Sequence, residues 1–256
     1  MMPQIKTHLF SSLNLTNNSK LRPLGLLVNG IGLILAARLA WMLWDAPVLT
    51  GWALFKDSAT THILLYTGKT GLIFLLLSLA CTPLSIVGLR AAITVRKSLG
   101  LWGFGFGLFH SLYFLGGKGI FFKFEAWESI WQTLTYVFEP DMFAKVPFAR
   151  YGLFGLLLLI PLALTSNRWA MRRLGKNWKR LHRLVYIAVP LLVWHYWQRE
   201  EWESTLGMGR TVDWTQPVLF ALMVGVLLVM RVPVIRQWIG KQYQLSLLRI
   251  KTGAKT

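Results

Sequence analysis

The chain of 256 residues is 54% hydrophobic and only 15% charged, where an ordinary soluble domain carries about 25% charged residues. Its mean hydropathy is +0.47, and 28 Lys and Arg against 10 Asp and Glu leave a formal net charge of +18. These values argue against a soluble enzyme, and the uneven placement of the charge argues against nucleic-acid binding.

The first 23 residues are polar, with Lys6, Lys20 and Arg22, and lack an apolar core followed by a small-residue cleavage site. They read as a tail without a removable signal peptide. Six apolar blocks follow, at 24–44, 70–88, 99–116, 151–166, 181–197 and 217–235. None alternates apolar and polar residues as a membrane barrel strand does, so each reads as a spanning helix. The expected fold is therefore all-α, a polytopic bundle of six transmembrane helices over residues 24–238, with a basic tail at 239–256.

All ten acidic residues fall in alternate connections. Asp45 and Asp57 follow the first block; Glu125, Glu128, Glu139 and Asp141 the third; Glu200, Glu201, Glu203 and Asp213 the fifth. The tail, the second and fourth connections and the C-terminal segment are basic, so the positive-inside rule puts both termini in the cytoplasm and the acidic loops outside. The basic excess then serves orientation and contact with anionic lipid. The connection from Gly117 to Arg150 contains FFKFEAWESIWQTL, which reads as an interfacial aromatic lip or a docking loop. About 20 residues follow the last block, too few for a flavin or nicotinamide domain, so reducing power is expected from elsewhere. Cys81 stands alone within the second block and reads as a packing residue.

Ionisable residues at membrane depth point to function, which directs attention to histidine. His8 lies in the tail and His62 near the first outer loop, both expected to be bystanders. His110 lies 11 residues into the third block and His195 14 residues into the fifth. Both blocks run outward, which puts the two at depths of about 17 and 21 Å. A pair of neutral imidazoles at one depth suits the two axial positions of a b-type haem; structural zinc would want further ligands. Gly103, Gly105 and Gly107 in LGLWGFGFGLFH either admit a flat macrocycle or serve close helix packing. His182 lies at the inner edge. Ideal helical winding leaves it about 140° around the axis from His195, and Pro190 between them offers a place for the helix to re-wind. Arg38 with Trp41 and Trp44 either borders a quinone site or anchors the first helix at the interface.

The single histidine in LGLWGFGFGLFH, the LTSNRWAMRRLGKNWKRLH segment, YTGKTG at residues 66–71 and the 13-residue spacing from His182 to His195 together resemble the MsrQ family. These are haem-binding membrane subunits of bacterial protein-methionine-sulfoxide reductase systems, within the wider ferric reductase-like transmembrane superfamily. The resemblance covers about residues 60–235. It implies a multi-pass protein of the bacterial inner membrane holding one or two b haems, with His110, His195 and His182 as iron ligands. It further implies a quinone or a cytosolic flavin reductase as electron donor, FMN as a further cofactor, and a periplasmic molybdopterin-dependent methionine sulfoxide reductase subunit as acceptor. Two-haem members of the superfamily carry a second histidine where this chain has Arg96 or Lys97. Arginine is a poor iron ligand and a good propionate partner, so His182 either holds an inner haem with an unusual or missing sixth ligand or caps the basic loop. A stand-alone metalloreductase-type cytochrome and a haem or metal transporter are the alternatives; a transporter fits poorly with helices that carry no carboxylate.

Overall fold

The computed structural model describes residues 18–47, 58–118, 130–131, 135, 146–205 and 214–253. Among these residues the regular structure is entirely helical. In chain order the elements are α1 (Asn18–Asp45), α2 (Ser58–Ile86), α3 (Ala92–Gly116), α4 (Pro147–Leu164), α5 (Arg168–Leu174), α6 (Lys176–Leu181), a 3-10 turn (His182–Leu184), α7 (Val185–Thr205), α8 (Thr215–Val229) and α9 (Pro233–Gly253).

Local chemistry explains the breaks. Gly88, at φ +97°, turns the chain between α2 and α3, a conformation that glycine takes without a steric penalty. The Asn167 side chain accepts the Ala170 N–H at 2.8 Å and caps α5, and Gly175, at φ +52°, separates α5 from α6. Pro147 opens α4, where its missing N–H costs nothing.

From Pro23 onward α1 is long and apolar enough to cross a membrane, as are α2 and α3. The pair α4 and α5 meets the same test but bends by 94°, and the pair α8 and α9 bends by 82°. Three to five spans therefore stand on length and composition. The fifth expected block, 181–197, runs from the end of α6 through the 3-10 turn into α7, which continues past Trp197 into Arg199, Glu200 and Glu201. The sixth expected block, 217–235, takes in α8 and the first residues of α9, and α9 carries the basic segment on as a helix to Gly253.

Three apolar clusters are found among the described residues; the smallest gathers Val146, Phe148, Ala149 and Trp202, and α2 contributes to the two larger ones. Leu72, Leu75, Leu76 and Leu79 pack with Leu159, Leu162, Val189, Val193, Phe220 and Val224. Ile63, Phe74 and Cys81 pack with Val28, Leu39, Val95, Phe106 and Tyr113. Glycine lets α2 and α3 approach: a Cβ on Gly103 would stand 2.7 Å from Leu75 and 3.0 Å from the Gly71 carbonyl. The packing reading of Gly103 is thus the one the structure supports, whereas Gly105 and Gly107 have open space where a Cβ would be. Lipid gives helices little hydrophobic reason to associate, so such close contacts and interhelical hydrogen bonds carry the weight. Tyr66 donates to the Leu35 carbonyl at 2.9 Å, Trp102 to Asn29 at 3.1 Å, and Lys118 to the Trp44 and Ala46 carbonyls at the end of α1. Arg231, at the bend between α8 and α9, donates to Tyr186 and to the Leu79 carbonyl at 2.6 Å each and to Thr82 at 3.3 Å.

Candidate functional site

His110 on α3 and His195 on α7 come together, their ring centres 6.0 Å apart and their planes at 79°. One ion held by two imidazoles at about 2 Å each separates the ring centres by about 6 Å. Each ring is tethered through Nδ1. In His110 this nitrogen lies 3.0 Å from the Leu64 carbonyl and 3.3 Å from Thr67 Oγ1; in His195 it lies 2.7 Å from the Phe148 carbonyl. A carbonyl only accepts, and the Thr67 hydroxyl already donates to the Ile63 carbonyl at 2.8 Å. Both Nδ1 atoms therefore carry the proton, which leaves Nε2 of each ring as the lone-pair nitrogen. Carbonyl-held imidazoles of this kind are the usual supporting arrangement of metal-ligating histidine.

Glycines make room for the rings. A Cβ on Gly68 would stand 3.2 Å from His110, and one on Gly152 would stand 2.9 Å from His195. Both rings border a cavity, partly open to the outside, walled by Leu64, Leu72, Leu75, Phe114, Leu156 and Leu192 and by Gly71, Gly103 and Gly107. Along α2 it extends from Thr61 to Leu75, about 21 Å.

Among the described residues no three His, Cys, Asp or Glu side chains gather where a metal could bind. A two-histidine set cannot complete a zinc site. It does suit an iron whose remaining positions come from a macrocycle, and the apolar walls with the open space beside Gly107 suit a flat ring.

A second cavity lies toward the basic end of the bundle and is bordered by Arg96, Lys97, Ser78, Trp178 and His182. The structure thus brings Arg96 and His182 to one place, with no second histidine there among the described residues. His182 stacks on Trp178 with ring centres 4.1 Å apart, and its Nε2 lies 3.2 Å from Thr165 Oγ1. That hydroxyl donates to the Pro161 carbonyl at 2.6 Å, so Nε2 is the donor and Nδ1 keeps the lone pair.

The 3-10 turn at His182–Leu184 supplies re-winding that Pro190 does not, since α7 continues past Pro190. At about 120° per residue over three residues, the turn cuts the offset between His182 and His195 from about 140° to about 80°.

Neither cavity is bordered by Arg38, Trp41 or Trp44. Arg38 lies over the Tyr66 ring at 5.1 Å, while Trp41 and Trp44 point outward, 74% and 83% exposed. His62 is exposed on α2, and buried Cys81 donates to the Leu77 carbonyl at 3.2 Å. His8 and most of the connection from Gly117 to Arg150 lie outside the described residues. Sequence reasoning missed Gly68, Gly152, Lys69 and Arg199, all of which border the first cavity; a lysine inside an apolar helix was the signal for Lys69.

The model of the ferric reductase like transmembrane component matches residues 67–193. Proteins named protein-methionine-sulfoxide reductase heme-binding subunit MsrQ are similar over a longer stretch. That of Deinococcus radiodurans is 37% identical over 172 residues, 66% of this chain and 76% of the relative. That of Rhodospirillum rubrum is 37% identical over 173 residues, covering 66% and 72%, and that of Caulobacter vibrioides 36% over 163 residues, covering 63% and 70%. The chain belongs to the MsrQ family. No solved structure matches it. The part matched by the ferric reductase model starts at Thr67, which touches the His110 ring, and includes His182. In this member of the MsrQ family the matched segment takes in His110 and much of the first cavity's lining but ends two residues before His195.

Proposed function

We propose that this protein is the haem-carrying electron conduit of a methionine sulfoxide reductase system, embedded in the bacterial inner membrane by six spans with both termini in the cytoplasm. His110 and His195 hold a b haem through their Nε2 atoms. The observation that carries this reading is the pair of tethered Nδ1 atoms, which leaves two lone-pair nitrogens on one cavity, with no third His, Cys, Asp or Glu gathered there among the described residues. Bound haem supplies a one-electron carrier whose potential depends on its ligands, burial and hydrogen bonding. The residues of the chain fix the ring tautomers through Leu64, Thr67 and Phe148, and the leucine and phenylalanine walls give the site an apolar lining.

The second cavity supports a further haem site on the cytoplasmic side, with His182 as ligand and Arg96 as propionate partner. Leu75 and Leu159 border both cavities, so the two sites lie in sequence along the path across the bundle. Electrons enter from quinol or a cytosolic flavin reductase, with FMN at the cytoplasmic face. They leave to a periplasmic molybdopterin-dependent subunit that reduces methionine sulfoxide in proteins. Names carried by the relatives support the methionine sulfoxide reductase assignment.

The test is a pyridine haemochrome assay with a reduced-minus-oxidised spectrum on detergent-purified protein. One or two b haems per chain, with the spectrum of the first site lost in His110→Ala and in His195→Ala, is the expected result. Full haem content in the double variant overturns the assignment.

A further inference from the structure

We propose that the basic end of the bundle carries a surface for the headgroups of anionic phospholipid, built from the α5–α6 segment and from α9. This surface requires that α4 and α8 cross the membrane, as the six-span reading has it, and does not depend on the haem ligands. Each basic segment leaves its span at nearly a right angle, α5 at 94° to α4 and α9 at 82° to α8. A helix that turns so far where a span ends runs along the bilayer surface, at the level of the headgroups. Between Arg168 and Arg183 the chain has seven Lys and Arg, all of them exposed, and no acidic residue. The helix α9 carries Arg236, Lys241, Arg249 and Lys251 and again no acidic residue. All ten acidic residues of the chain belong to the α1–α2, α3–α4 and α7–α8 connections or to the helix ends that enter them, so the sequence supplies no Asp or Glu to this end.

Apolar side chains stand among these cations. Trp169 on α5 is 69% exposed. On α9 Val234, Trp238, Leu245 and Leu248 are exposed, and their spacing puts them on one stripe about 80° wide. A different side of α9 meets the bundle: a Cβ on Gly240 would stand 3.6 Å from Ile86, and Tyr243 abuts Gly88. That side lies about 150° around the axis from the stripe, so the stripe faces away from the protein. Lys241 falls within it, where the stem can lie along apolar groups while the ammonium reaches a phosphate. A soluble acidic partner would meet the cations but offer nothing to the stripe or to Trp169, whereas the surface of an anionic leaflet supplies both charge and hydrocarbon. Met171 and Trp178 of the α5–α6 segment border the second cavity, so the lipid braces one wall of it.

The experiment measures which lipid the two segments touch. Full-length protein in a Cys81→Ala background carries a fluorophore on Trp169→Cys or on Leu245→Cys, in vesicles of phosphatidylcholine with about 30% phosphatidylglycerol. A nitroxide on the acyl chain of one lipid or the other serves as quencher. Phosphatidylglycerol is expected to quench both labels about three-fold or more effectively than phosphatidylcholine at equal nitroxide content, and about 1 M salt should abolish the preference. Arg168→Gln with Arg172→Gln and Arg173→Gln should remove it at the first label only, and Arg236→Gln with Lys241→Gln at the second only. Equal quenching by the two lipids overturns the proposal, as does quenching by neither, which would leave the face to a soluble acidic partner. These outcomes are read with every basic residue in place, so they decide the matter even where a glutamine variant fails to fold. A label on Leu222→Cys of α8, where the leucine is 62% exposed, tests the span separately. Quenching there by both lipids alike supports the span, and its absence overturns the span and the surface with it.

Discussion

Replacing Gly152 by alanine tests the site where it is tightest. A Cβ there would stand 2.9 Å from Nδ1 and 3.0 Å from Cε1 of His195, whereas ordinary contact begins near 3.4 Å, so the ring must retreat by about 0.5 Å. That is the tolerance within which a ligand geometry has to be held. The ring cannot retreat freely, because Nδ1 donates to the Phe148 carbonyl at 2.7 Å, a bond worth about 0.5–1.5 kcal/mol. Alanine returns about 0.8–1 kcal/mol of helix propensity over glycine. The two terms nearly cancel, so Gly152→Ala should leave the melting temperature of the haem-free protein almost unchanged. Haem affinity should fall about 10–100-fold, as when the support of a ligating histidine is lost. Gly68→Ala, with 3.2 Å contacts to His110, should lose less, and Gly105→Ala, with nothing within 4 Å, should lose nothing. Haem-to-protein ratios across the three variants, read beside thermal unfolding, give the assay. Full occupancy and an unaltered spectrum in Gly152→Ala, or equal losses in all three, would refute the reasoning.

Gly107→Leu meets no protein atom at its Cβ position but projects into the cavity, so haem content should drop while the haem-free protein keeps its thermal stability; retained haem would mean that the ring does not use that space. His182→Ala should leave the spectrum of the first site in place, and a chain that carries two haems should fall to one in the haemochrome assay. Arg231→Met removes three hydrogen bonds to α2 and α7, at about 0.6 kcal/mol each within a membrane. The resulting loss of about 2 kcal/mol should lower the melting temperature by about 4–8 °C in a detergent unfolding assay.

The sequence made the meeting of His110 and His195 legible because depth along a helix follows from residue count. Rotation about the axis is less legible, since it accumulates every departure from ideal winding; the 3-10 turn at His182–Leu184 carries no distinctive residue type. The tethers were hidden for a different reason. Leu64 and Phe148 act through main-chain carbonyls, which every residue possesses, so their side chains say nothing of the role. Lys69 was passed over because the second block was read as beginning at residue 70, whereas α2 begins at Ser58 and carries the lysine inside it. Span ends suffered likewise: α7 keeps its helical hydrogen bonding beyond Trp197 into charged residues, and composition sees the change in polarity but not the continuing helix.

Leu75 and Leu159 stand in the walls of both cavities, so the partition between the two is shared. Substitutions there act on two compartments at once, and their effects on the two sites will not add. Shortening either leucine to alanine enlarges both voids together, and a spectroscopic change at one site then reports also on the other. The bundle is in this sense a single insulated column whose two chambers cannot be tuned separately from the middle.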